Sequence, residues 1–126
     1  MTRVLLTEDE EEIRLMLAEV LVAAGYEVIE AESGDVAAEL IDHPDVFDVL
    51  VTDIHMPGRL SGLDLGRRFR ERHARSPILY VTGRPDAMRG ISMRPNREVV
   101  LLKPLGLLAL VATVQAMLAA GFARAD

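Results

Sequence analysis

FDVLVTD, residues 47–53, carries Val49, Leu50 and Val51 through to an aspartate, and MPGRLSG (56–62) follows as a loop marked by its proline and glycines. This is a strongly apolar strand with a carboxylate at its C-terminal end. Working outward, RVLLT (3–7), YEVIE (26–30), PILYVT (77–82) and VVLL (99–102) read as four more strands, YEVIE the least buried. Between them apolar residues recur at helical spacing. Ile13, Met16, Leu17, Val20, Leu21 and Ala24 form one set, closed by Gly25 as a C-terminal cap. Val36, Ala37, Leu40 and Ile41 follow a Ser33 cap, and Leu63, Leu65 and Phe69 mark a third helix. Leu105 to Ala119 is a final helix, apolar over much of its circumference. HPD (43–45) reads as a turn and GRPD (83–86) as a loop. The stretch from 84 to 98 is the weak unit. It holds Gly90, Pro95 and few apolar residues, so the expected helix is short, from Asp86 to Ile91, and mobile.

Five β–α units predict an α/β fold, a doubly wound five-stranded parallel sheet with helices on both faces. Strands that are almost wholly apolar suit a parallel sheet buried on both sides. The 126 residues are enough for a single domain, 1–126, with a core of its own, and no output domain is expected. Absence of cysteine excludes a disulfide framework and a thiolate metal site. No apolar run is long enough for a membrane span, and MTRVLLTEDEEE turns acidic too soon for a signal peptide. A cytoplasmic protein is the simplest reading. A net charge of -6 disfavours direct nucleic-acid binding. RRFRERHAR (67–75) is a basic run, read as the solvated face of a helix.

In such sheets ligands bind beyond the C-terminal ends of the strands. Strand one runs into Glu8 and Asp9, strand three ends in Asp53, strand four in Thr82, and strand five in Lys103. Taken singly these are ordinary turn, cap or surface residues. Together they bring three carboxylates, a hydroxyl and an ammonium to one edge if strands one, three, four and five are neighbours. Crowded carboxylates with no histidine or cysteine beside them invite a hard cation, and Mg2+ is the default. A carboxylate beside Mg2+ is also a competent nucleophile toward phosphorus. Lys103 is the only lysine, the other thirteen basic residues being arginine. A compact ammonium on a flexible stem fits a gap that a planar guanidinium would not.

With Glu8-Asp9, DIHMPG (53–58), VTG (81–83) and LKP (102–104) in this order, the chain resembles the receiver domain of two-component response regulators over essentially its whole length. The resemblance implies strand order 2-1-3-4-5, with Asp53 as phosphoacceptor. It implies Mg2+ held by Asp9, Asp53 and the His55 backbone carbonyl, with Glu8 acting largely through water. Thr82 would move its hydroxyl onto the phosphoryl group, and Lys103 would pair with Asp53 and then with the phosphate, before a cis bond to Pro104. The donor would be a histidine kinase or a histidine phosphotransfer protein, and output would pass to a separate protein partner or on through a phosphorelay. His55 and Arg84, two positions beyond Asp53 and Thr82, would reach over the phosphoryl group and tune attack by water.

Three positions depart from the family pattern. Val100 stands where an aromatic residue usually follows the threonine, and Tyr80 reads as a core residue rather than its replacement. The loop from Pro57 to Gly62 is one residue longer than the commonest form. The fourth helix, usually part of the output face, is weak, and Arg84, Arg89, Arg94 and Arg97 crowd that face. Two other readings stay open. One is a degenerate receiver that binds a partner without phosphorylation. The other is a Mg2+-dependent phosphatase of the haloacid dehalogenase type, although the Asp-x-Asp of that family is absent after strand one.

Overall fold

A computed structural model of the chain describes residues 1–43, 45–95 and 97–121. The strands are β1 (Arg3–Thr7), β2 (Glu27–Ala31), β3 (Val49–Asp53), β4 (Ile78–Thr82) and β5 (Glu98–Leu102). All pair in parallel, in the order β2-β1-β3-β4-β5. The helices are α1 (Glu11–Ala23), α2 (Gly34–Asp42), α3 (Gly62–Arg72) and α4 (Leu107–Gly121).

Every residue of β3 and β4 is buried, which is why the two-residue alternation of a half-exposed strand is missing from their sequences. Alternate side chains nevertheless feed two separate cores. On one face Val4, Leu6, Val51 and Val81 pack with Leu17 and Leu21 of α1 and Leu110 and Val114 of α4. On the other, Leu5, Leu50, Ile78 and Tyr80 pack with Ala37 and Ile41 of α2 and Leu65 and Phe69 of α3. Each fully buried Leu, Ile or Phe contributes about 1.5–3 kcal/mol relative to exposure.

The local signals act as expected at several ends. Gly25 follows the α1 C-cap with φ +101°, where a side chain would be strained. Ser33 Oγ accepts the Val36 N–H at 3.1 Å, and Ser61 forms a capping box with Asp64 at the start of α3. The Lys103–Pro104 bond is cis. The turn expected at HPD falls partly on Pro44, and the tail beyond Gly121 is residues 122–126; both lie outside the described residues.

Two expectations are corrected. No helix spans Asp86 to Ile91; a single 3-10 turn, Pro85–Met88, stands there. The segment has too few apolar residues to form a helical face, and Gly90 adopts φ +78°. What ties it down instead is ionic. Arg94 donates to Glu98 at 2.7 Å and to the Ala74 carbonyl at 2.8 Å, and Arg97 donates to the Arg75 carbonyl at 2.6 Å. Arg94 and Arg97 are therefore half-buried and committed to partners within the chain, Arg94 to Glu98 and both to carbonyls beyond α3, rather than crowding a free surface. The last helix starts at Leu107, two residues later than expected, because its first bond runs from the Leu110 N–H to the Gly106 carbonyl.

Candidate functional site

The five strand ends are tied to one another by backbone before any side chain acts. The Glu8 N–H bonds the Ala31 carbonyl at 3.2 Å, the Ile54 N–H bonds Val81 at 3.0 Å, and the Lys103 N–H bonds Thr82 at 2.9 Å. Asp53 thus emerges between the ends of β1 and β4. The loop after it folds straight back, the Gly62 N–H reaching the Ile54 carbonyl at 2.8 Å. A Cβ at position 62 would overlap the Asp53 carbonyl oxygen, so only glycine lets α3 start this close to β3. The extra residue in this loop is absorbed without displacing Asp53 from the cluster.

Glu8, Asp9 and Asp53 each offer a carboxylate oxygen, and the three oxygens lie within 4.8 Å of one another. Asp53 and Glu8 are buried, at 7% and 2% exposure. Burial pushes the Glu8 carboxyl above its ordinary range, and the charges of Asp53 and Asp9 push the same way; the Glu10 N–H and Lys103 only partly offset this. Lys103 reaches in from β5. Its Nζ lies 2.9 Å from Asp53 Oδ2 and 3.6 Å from Glu8 Oε1. Burial pulls the ammonium down, but the hydrogen bond and charge of Asp53, with the charge of Glu8, outweigh it and hold Lys103 above its usual value. The ammonium is a full cation across the physiological range.

Thr82 is fully buried, and its hydroxyl is taken up by the next loop. It accepts the Arg84 N–H at 3.0 Å and donates to the Arg84 carbonyl at 3.3 Å. His55 follows β3 with its side chain in solvent, outside the carboxylate cluster. The Arg84 side chain is 67% exposed and lies 4.0 Å from Asp86. The structure therefore gathers Glu8, Asp9, Asp53 and Lys103, sets Thr82 at the neighbouring strand end, and leaves the His55 and Arg84 side chains outside.

Tyr80 sits below Thr82 on β4, opposite Val100 of β5, and is a core residue as expected. Its hydroxyl lies against Gly66, where any Cβ would overlap it, and it bonds Arg70. Two features escaped the sequence. Glu98 is a buried carboxylate gripped by Arg70 at 2.8 Å and Arg94 at 2.7 Å. Arg14 holds the backbone of the acidic turn. The signal for the first was the four-residue spacing of Arg94 and Glu98, while Arg70 lies 28 positions from the same carboxylate. For Arg14 it was a lone cation in an acidic run.

An all-oxygen cluster of carboxylates at the C-terminal ends of β1 and β3, with one lysine against it, is the arrangement that the resemblance to receiver domains predicts. The comparisons agree. The sequence pattern of the response regulator receiver domain matches residues 4–115. The chain is 36% identical over 121 residues to the response regulator receiver protein CpdR of Brucella abortus, covering 95% of this chain and 99% of that one. It also matches longer transcriptional regulators, spanning about half their length, 50% in one and 51% in another. Among solved structures, a response regulator receiver protein from Sinorhizobium medicae superposes with a TM-score of 0.88 at 28% identity, over 95% of this chain and 96% of that one. The Thermotoga maritima response regulator TrrA, solved in complex with Mg2+ and BeF, matches with a TM-score of 0.79 at 30% identity, over 93% of this chain and 99% of that one. The chain belongs to the response regulator receiver domain family of two-component signalling.

Proposed function

We propose that this receiver takes a phosphoryl group on Asp53 in the presence of Mg2+, and that it does so as a single domain in the cytoplasm, signalling through a separate protein or relaying phosphate onward. The observation that carries the reading is the 2.9 Å pair between Lys103 Nζ and Asp53 Oδ2 inside a cluster of three carboxylates. The donor is the phosphohistidine of a kinase or phosphotransfer protein. A carboxylate oxygen of Asp53 forms the new O–P bond, and the donor's N–P bond breaks with its electron pair leaving on the histidine nitrogen.

The donor set fits a hard divalent ion, because every ligand is oxygen and the carboxylates already converge. Asp9 and Asp53, with the His55 backbone carbonyl and Glu8, would hold Mg2+. When bound, it would offset charge on the transferring phosphoryl oxygens. Lys103 supplies a second positive charge there, preorganised by its pairing with Asp53. Thr82 would leave the Arg84 backbone and bring its hydroxyl to the phosphoryl group. Membership of a signalling family favours this reading over a small-molecule phosphatase.

Intact-protein mass after incubation with Mg2+ and acetyl phosphate tests it. One added phosphate is expected on the wild type, absent from Asp53→Asn and lost in EDTA. No added mass and no beryllofluoride adduct would leave the unphosphorylated binding module as the better account.

A further inference from the structure

Residues 8–12 are five consecutive carboxylates, three of them flanking the site rather than contributing to its cluster. Mutual repulsion would splay such a turn. In the structure it is held on three sides. The Glu8 N–H is bonded to β2 through the Ala31 carbonyl, and Glu8 Oε2 accepts the Glu10 N–H at 3.1 Å. The third hold is Arg14. One turn into α1, it sends Nη1 to the Glu8 carbonyl at 3.0 Å and Nε to Glu30 Oε1 at 3.2 Å, and its side chain is only 13% exposed. The guanidinium fork thus bridges the exit of β1 to the end of β2 and grips the main chain of Glu8, not its carboxylate.

We propose that Arg14 is a positioning residue for the metal site: it fixes the Glu8-Asp9 turn so that both carboxylates face Asp53. The inference rests on reading this cluster as a Mg2+ site. Two separated donors on one rigid plane are what a fork supplies and an ammonium does not. Support of this kind behind the ligands sets metal affinity without touching the ion.

The sign of one measurement separates this from a simple charge effect. Arg14 is a cation near a cation site, so by field alone its removal should tighten Mg2+ binding. If it positions the turn, removal weakens binding instead. Calorimetric titration with Mg2+ is expected to give a dissociation constant about tenfold higher for Arg14→Met, the low end for loss of outer support. Arg14→Lys, which keeps the charge and loses the fork, should be weakened several-fold and covers the case in which Arg14→Met fails to fold. The Mg2+ concentration for half-maximal phosphorylation by acetyl phosphate should rise in step, with the rate at saturating Mg2+ unchanged. Binding by Arg14→Met equal to or tighter than wild type overturns the proposal, as does wild-type affinity in Arg14→Lys should Arg14→Met not fold. A wild type that takes up no Mg2+ at all would instead overturn the reading of the site on which it rests.

Discussion

Lys103 touches two carboxylates from a third strand, Asp53 at 2.9 Å and Glu8 at 3.6 Å. A single nitrogen on four carbons can do this and later follow a phosphoryl group as it forms; a planar fork of fixed width suits one carboxylate better than two. Lys103→Met should therefore slow phosphorylation by acetyl phosphate about a hundredfold, the cost of removing one preorganised group that stabilises developing charge. Mg2+ binding should persist or tighten in the same variant, since a competing cation has gone. Comparing rates at saturating Mg2+ checks this, and an unchanged rate would deny Lys103 its role. Tyr80 shows the opposite case, a conspicuous residue with no freedom. Locked over Gly66 and bonded to Arg70, its ring is a wedge between α3 and the sheet.

The fourth β–α unit replaces a helix with an ionic tether. Glu98 opens β5 with its side chain fully buried, accepting the Arg94 N–H at 3.0 Å and both the Arg70 and Arg94 guanidinium groups. Burial alone would raise its pKa, but the Arg94 N–H and the two arginines outweigh that and hold the carboxyl below its ordinary value. A lowered carboxylate pKa contributes stability that is complete above the unfolded value and is lost as pH falls through the folded one. Urea unfolding should show this loss setting in below about pH 4.5, and Glu98→Gln should flatten it. At neutral pH that substitution should cost about 3 kcal/mol, the lower end for breaking a buried pair, because both arginines keep some contact with water. A neutral-pH stability equal to wild type would show that the tether is ornamental.

Across the molecule the segment between β4 and β5 is held at two ends of different kind. The far end is the Glu98 tether. The near end is the Thr82 hydroxyl on the backbone of Arg84, a bond that must break if Thr82 turns to a phosphoryl group on Asp53. The consequence is directional. Hydrogen exchange with Mg2+ and beryllofluoride should speed at the Arg84 amide while the Arg94 and Glu98 amides stay as slow as before. Thr82→Ala should give fast exchange at Arg84 with or without the ligand. Equal protection at Arg84 in both wild-type states would remove Thr82 from the switch. Val100 lies opposite Tyr80, which is buried and bonded to Arg70, so the Thr82–Arg84 bond is the place where a change at Asp53 is expected to register first.

The two-faced core and the placing of Glu8, Asp9, Asp53 and Lys103 at strand ends were legible in the residues themselves, whereas strand order, and with it the meeting of those four, came only with the resemblance to receiver domains. The first two rest on local causes: apolar runs that only a doubly covered sheet can bury, and chemical groups set where ligands bind in such sheets. The four arginines beyond β4 were legible only as charge. Which of them face water depended on Glu98, a residue that strand propensity had left outside β5, and on carbonyls freed where α3 ends. Arg14 was hard to place for a similar reason, since it bridges the Glu8 carbonyl in the turn after β1 and the Glu30 carboxylate on β2. Periodicity and turn chemistry act over a few residues, and so the sequence determined the fold and the ends of its strands. Long side chains choose partners across the finished surface, and only the tertiary structure decided which charges hold the site in place and which are free.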